Sequence, residues 1–196
     1  MLIAVIDPTS RGEGGAARLR HSGIDVHTHV LEKEALVVLG PWLAALSRRR
    51  PVLHLLIQTD AAGNATALSA EALTEIEIER QGHDLLISVD GSVEEGRTGS
   101  HGRGFSVPTV AKSHEPEGAL AVFAEAGART VLLAGLSNLG KQLLSTSLID
   151  RLTLLMPAPE PSQSTTTPPA PLLPDGYVLS RIARTGSQLL VRAERC

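Results

Sequence analysis

Two glycine-rich stretches and one pair of histidines are where this sequence brings together residue types that chemistry uses. Gly135-Leu136-Ser137-Asn138-Leu139-Gly140-Lys141 has the spacing of a phosphate-binding loop, whose amides and lysine surround phosphate oxygens. Gln142 stands where such a loop carries the Ser or Thr that ligates Mg²⁺, so the expectation is a helix N-terminus near a phosphate-bearing ligand, not nucleotide hydrolysis. Gly12-x-Gly14-Gly15-Ala16-Ala17, with Glu32 placed for a ribose hydroxyl, approximates the dinucleotide fingerprint. Its glycines come too late after the preceding apolar run for the immediate turn that fingerprint needs. His27 and His29 fall on one face of an expected strand, but no third ligand accompanies them, so no metal site is expected. No Ser-His-Asp order, paired carboxylates or His-Glu-x-x-His assigns a catalytic residue.

The elements that must position these residues alternate. Leu2–Ile6, closed by Asp7-Pro8, reads as a strand buried on both faces, and a helix through Ala16, Ala17 and Leu19 stops at Ser22-Gly23. Ile24–Val30 alternates as the next strand. Leu36, Leu39, Leu43 and Leu46 then mark a helix whose basic end, Arg48-Arg49-Arg50, complements its dipole before Pro51. Val52–Ile57 is a buried strand, Ser69 caps a helix reaching Gln81, and Asp84–Val89 is a further strand. Gly91–Ser113 shows no period and reads as a long mobile loop. Pro116 opens a helix to Ala126, Thr130–Ala134 is a strand, Leu139, Leu143 and Leu144 mark a helix, and Ile149–Met156 another strand. Residues 157–174 hold seven prolines among Ser and Thr and form a spacer or loop. Tyr177–Ala183 and Gln188–Ala193 alternate around Thr185-Gly186 as an antiparallel hairpin. The fold class is therefore α/β: three layers, a mostly parallel sheet with helices on both faces, and a C-terminal antiparallel hairpin.

Composition narrows the function. The chain has 196 residues, 42% apolar and 20% charged, enough for a full aliphatic core. A formal charge of −3 and only four aromatic rings, Trp42, Phe105, Phe123 and Tyr177, argue against nucleic acid as a partner. The lone cysteine, Cys196, fits a reducing cytoplasm. Gly40-Pro41 interrupts the longest apolar stretch, so no membrane span is expected, and neither is a secretory leader.

The order of segments carries a family resemblance. Asp7-Pro8, Arg11-Gly12-Glu13-Gly14-Gly15, Leu19, Ser22-Gly23-Ile24-Asp25-Val26, Leu31-Glu32 and Glu34-Ala35 resemble the end of the deaminase domain in the bifunctional riboflavin-biosynthesis deaminase/reductase. Arg50-Pro51-Val52-Leu53 and Leu55 through Gly63 look like the family's first reductase strand and its Ser-Leu-Asp-Gly turn. Arg80, Asp84-Leu85-Leu86-Ile87 and Gly91-Ser92-Val93 resemble its Arg, Asp-Ala and Gly-Thr-Val elements. Leu133-Ala134-Gly135-Leu136 stands in the place of Val-Glu-Gly-Gly, and Leu148-Ile149-Asp150-Arg151-Leu152 in that of Leu-Val-Asp-Glu-Leu.

That resemblance implies a remnant of the deaminase domain over 1–48 and a dihydrofolate-reductase-like domain over 49–196. It implies NADPH-dependent reduction of a phosphorylated ribosylaminopyrimidine, with Gly91, Ser92, Gly135, Leu136 and Ser137 toward NADPH and Asp60 and Arg80 toward the substrate. A homodimer, or pairing with a related reductase, would follow. The zinc-holding His-x-Glu and Pro-Cys-x-x-Cys pieces are missing from the first segment, so deamination is not expected. Leu56, Ala62 and Ala134 stand where the family carries a lysine, an aspartate and a glutamate. Two readings follow: a reductase with a trimmed cofactor site, or a lapsed homologue serving as a binding or partner subunit.

Overall fold

A computed structural model describes residues 1–6, 10–99, 106–109, 115–158 and 173–196, without the side chains of 10–13 and 41. The chain divides into two compact units, Met1–Arg49 and Arg50–Cys196. The first unit runs β1 (Leu2–Ile3), α1 (Ser10–His21), β2 (His27–Thr28) and α2 (Glu32–Arg48). Its strands pair in parallel, Leu2 opposite His27 and Ile3 opposite Thr28. The strand expected over Leu2–Ile6 shrinks to two residues, and in place of burial on both faces Leu2 is exposed and Ile3 half-buried. The strand expected over Ile24–Val30 shrinks likewise.

The second unit runs β3 (Val52–Gln58), α3 (Ala70–Glu79), a 3-10 turn (Arg80–Gly82), β4 (Leu85–Ile87) and β5 (Val93–Glu95). It continues through α4 (Pro116–Glu125), β6 (Thr130–Ala134), α5 (Asn138–Ser145), β7 (Arg151–Pro157), β8 (Tyr177–Thr185) and β9 (Gln188–Arg195). Among the described residues these strands form a seven-stranded sheet in the order β5-β4-β6-β3-β7-β9-β8. The middle four, β4, β6, β3 and β7, are parallel, and β5 at one edge and the β8–β9 hairpin at the other are antiparallel.

Both faces of the parallel strands are covered. Alternation sends Leu53, Leu55 and Ile57 of β3 to the face covered by Leu120 and Phe123 of α4 and Leu143 of α5. Leu56 points the other way, with Leu86, Leu132 and Leu155, against Ala72 and Ile76 of α3. The continuous apolar runs in the sequence are this two-sided burial. Ser69 caps α3, its side chain accepting from Ala72 N at 3.2 Å.

The structure differs from the sequence pattern at two further places. The loop expected from Gly91 contains β5, paired antiparallel with β4, Leu85 opposite Glu95 and Ile87 opposite Val93. Two of its three residues are glutamates, the kind of short, charged edge strand that leaves no hydrophobic period to read. Arg50 is also not part of the basic end of α2. Arg49 takes the left-handed conformation that closes that helix, and Arg50 instead holds Asp150 bidentately at 2.7 and 2.8 Å. The Asp150 carboxylate also accepts from Leu53 N at 2.9 Å, tying the start of β3 to the start of β7.

The Asp150 side chain is 8% exposed and that of Arg50 19%, so removing one charge leaves the other largely desolvated. Asp150→Ala is expected to cost about 3–5 kcal/mol of stability, read as a fall in the urea midpoint. Removing both charges, as Arg50→Met with Asp150→Leu, should recover part of that loss.

Candidate functional site

The parallel strands end together, and their C-terminal turns make a cleft. β4 leads into a tight hairpin turn: Gly91 N donates to Ser88 O at 2.9 Å, and Ser92 N donates to the Asp90 carboxylate at 2.9 Å. Gly91 takes a φ of 85° in this turn. β6 leads into Gly135, whose N–H donates to Leu56 O at 2.7 Å. Gly135 has a φ of 80°, and a Cβ there would stand 2.5 Å from Val89 Cγ2. The bends at Gly91 and Gly135 therefore lie side by side, joined by Val89.

Between these bends and α3 lies a cleft of about 570 Å³. Leu68, Leu73, Ile76, Leu86, Val89 and Ala134 supply apolar lining, and Glu77, Arg80, Asp90, Glu94, Ser88 and Ser92 the polar part. Of the seven binding residues expected from the sequence, Arg80 and Ser92 line it, and Gly91 and Gly135 form the bends beside it. Leu136 packs against the core on the α4–α5 side. Ser137 is buried as the N-cap of α5, its Oγ accepting from Gly140 N at 3.0 Å. Gly135–Lys141 is thus a capped helix start, with α5 already begun at Asn138.

Asp60 stands apart. Its carboxylate accepts from Ala62 N, Asn64 N and Asn64 Nδ2 at 2.8–3.0 Å, an Asx-type turn after β3. The Asn64 side chain, followed by the backbone amides, holds its pKa below the usual carboxylate value.

Arg80 is already engaged. Its Nε donates to Gly96 O at 2.8 Å and its Nη2 to Glu95 O at 2.8 Å, while Glu77 and Glu94 lie 3.1 and 3.4 Å from its Nη atoms. The guanidinium clamps the end of β5 onto the turn after α3. Against its one positive charge the cleft lining sets Glu77, Asp90 and Glu94.

Two other expected sites dissolve. Gly12, Gly14 and Gly15 lie inside α1, so no glycine turn is presented to a dinucleotide, and Glu32 pairs with His29 at 3.1 Å. His27 and His29 do not share a strand face, because β2 ends at Thr28 and His29 turns left-handed. His27 bonds Asp25 instead.

The sequence reading missed a polar cluster on the α3 face. His54 of β3 is 4% exposed, His83 8%, and the His54 Nδ1 to His83 Nε2 distance is 3.3 Å. His54 Nε2 lies 2.8 Å from Thr153 Oγ1, His83 Nδ1 donates to Glu79 O at 2.7 Å, and the Glu79 carboxylate lies 3.8 Å from His54 Nδ1. Burial pushes both imidazole pKa values down, and for His54 the neighbouring His83, Arg151 and Arg192 push further the same way. The only sequence signal was a histidine inside an otherwise aliphatic run.

The sheet order, the two bends and the helices on both faces define a dihydrofolate-reductase-like α/β fold. Its solved counterparts include the diaminohydroxyphosphoribosylaminopyrimidine deaminase/5-amino-6-(5-phosphoribosylamino)uracil reductase of Thermotoga maritima, at TM-score 0.65 and 14% identity, covering 100% of this chain and 71% of that one. RibD of Acinetobacter baumannii matches at TM-score 0.65 and 16% identity, covering 100% of this chain and 72% of that one. The fold anticipated from the deaminase/reductase resemblance is the one observed. No family profile and no curated protein sequence matches the chain. No helix among the described residues is long and apolar enough to cross a membrane.

Because Arg80 spends its donors on two carbonyls of the β5 edge, Arg80→Met should destabilise by about 2 kcal/mol. Amide exchange at residues 93–97 should speed up. A side chain reserved for a ligand would leave both unchanged.

Proposed function

We propose that this chain is a pyrimidine-reductase-fold protein that has kept the cleft and lost the reduction: a binding subunit of the riboflavin-pathway type that takes an amino-substituted pyrimidine without turning it over with NADPH. The observation that carries the reading is the engagement of Arg80 by Gly96 O, Glu95 O, Glu77 and Glu94.

NADPH and a phosphorylated substrate both need cations or free amides for their phosphates. Among the described residues Arg80 is the one cation of the cleft lining, and three carboxylates share that lining with it. The Ser92 amide is taken by Asp90, and the Gly135 amide by Leu56. The described lining does not fit the cofactor.

The same lining suits an amino-heterocycle. Its apolar part accepts a flat ring, and carboxylates at Asp90 and Glu94 accept hydrogen bonds from exocyclic amino groups. Ala134, where the family carries a glutamate, widens the apolar part of the cleft. In this reading residues 1–48, which contain no cysteine, correspond to the end of a deaminase domain and carry none of the Pro-Cys-x-x-Cys metal ligands.

Calorimetric titration tests this. The dephosphorylated ribosylaminouracil should bind saturably, and more tightly than its 5′-phosphate, while NADPH gives no saturable heat up to about 1 mM. Asp90→Asn should weaken the aminopyrimidine by about tenfold, the loss of one charged hydrogen bond. Micromolar NADPH binding, with loss of nicotinamide absorbance on adding the phosphorylated pyrimidine, would reinstate the reductase and end this reading.

A further inference from the structure

We propose that His54, Glu79 and His83 form a binding site for a zinc-type divalent cation on the α3 face of the sheet, separate from the cleft. The three donor atoms, His54 Nδ1, His83 Nε2 and a Glu79 carboxylate oxygen, lie within 4.8 Å of one another. His54 Nδ1 and His83 Nε2 are 3.3 Å apart, and His54 Nδ1 and Glu79 Oε2 3.8 Å. Two imidazole nitrogens bound tetrahedrally to zinc at about 2.0–2.1 Å are separated by about 3.3–3.4 Å. The nitrogen pair has that spacing, and the glutamate oxygen supplies the third donor.

Each donor is held by a partner behind it, as metal ligands are. His83 Nδ1–H donates to Glu79 O at 2.7 Å, which leaves Nε2 with its lone pair toward the other two donors. His54 Nε2 meets Thr153 Oγ1 at 2.8 Å, so with that nitrogen as donor Nδ1 presents its lone pair. The second oxygen of Glu79 is held by Arg192.

The fourth position has room. A cavity of about 90 Å³, lined by His54, Glu79, Thr153, Ser180, Arg151 and Arg192, adjoins the donors. Among the described residues Arg192 Nε is buried without a hydrogen-bond partner. Glu75 pairs with Arg192 and Glu194 lies 3.8 Å from Arg151, so a divalent ion on one carboxylate and two neutral imidazoles leaves one net positive charge at the site. The fourth ligand is therefore an anion, hydroxide or a small carboxylate, which offsets that charge and gives Arg192 an acceptor.

The alternative is a metal-free chain in which Thr153 O–H donates to His54 Nε2 and His54 Nδ1–H donates to His83 Nε2. Zinc and cobalt ions alone separate the two, titrated into the full chain after dialysis against a chelator. One equivalent of Zn²⁺ should bind at or below about 1 µM, and Co²⁺ should give the intense visible bands of four-coordination.

His83→Gln and His54→Gln should each weaken Zn²⁺ by at least about 100-fold, and Thr153→Val, which removes only a supporting contact, by about tenfold. His27→Ala with His29→Ala should leave the affinity unchanged. Circular dichroism reports folding, and if His54→Gln unfolds, the His83 variant and the cobalt spectrum of the unaltered chain decide. Absence of one-equivalent binding, a six-coordinate cobalt spectrum, or affinity that survives His83→Gln would overturn the site. None of these outcomes depends on what the cleft binds.

Discussion

A strand with neighbours on both sides and helices on both faces has no access to water, and β3 is such a strand. Any polar side chain on it must find a partner inside the protein or cost on the order of 1–3 kcal/mol. His54 is that side chain, and much of the local architecture follows from satisfying it. Thr153, fully buried one strand away, faces it across the β3–β7 pair, and the turn after α3 brings His83 to its other nitrogen. The Asp150–Arg50 pair answers the same demand at the start of the sheet, where Asp150 also takes the Leu53 amide. Polar groups here fix the ends and register of strands whose apolar side chains are largely interchangeable leucines.

At the other end of the strands the constraint relaxes, and the chain uses its polar groups to make turns. Asp60 closes its own turn, Asp90 closes the hairpin after β4, and Ser137 caps α5. Each has been drawn into local backbone bonding, and Arg80 into the β5 edge. A cleft built from such parts keeps its shape whatever charges line it. Shape is set by the parallel strands ending together, charge by single side chains. The two are separable, which is why the fold matches solved reductases at an identity of 14–16% without implying their chemistry.

What could be read from the sequence divides along the same line. The two-sided apolar runs gave β3, β6 and β7, and the Ser69 cap and Pro116 start placed α3 and α4, because burial period and capping chemistry are local properties. Gly135 was legible as a close approach. β5 was not, since Val93-Glu94-Glu95 has no apolar period and pairs only because β4 exposes an edge. The engagement of Arg80 was equally hidden: two of its partners are backbone carbonyls, which carry no sequence identity. Arg50 read as one of three helix-terminal arginines because nothing in Arg48-Arg49-Arg50 shows that the chain turns left-handed at Arg49. The His54 cluster joins residues from β3, α3 and the following turn, and its longest spacing is set by the crossover connection, not by any motif.

The segment between α3 and β4 ties these features together. Arg80, at its start, holds β5 through Gly96 O and Glu95 O, and His83, at its end, enters the cluster under the sheet. Gly96 lies against this segment so closely that a Cβ there would stand 2.0 Å from His83 O. The Gly96 and Arg97 amides then donate to Asp84 O and His83 O. A side chain at Gly96 would lift β5 off the turn, loosening the Arg80 clamp and moving His83 away from His54 in one displacement. Arg80 lines the cleft while His83 supports the polar cluster under the sheet, and only Gln81 and Gly82 separate them along the chain. The position of the β5 edge therefore sets both the acidic wall of the cleft and the spacing of the two imidazoles, although neither group touches the other.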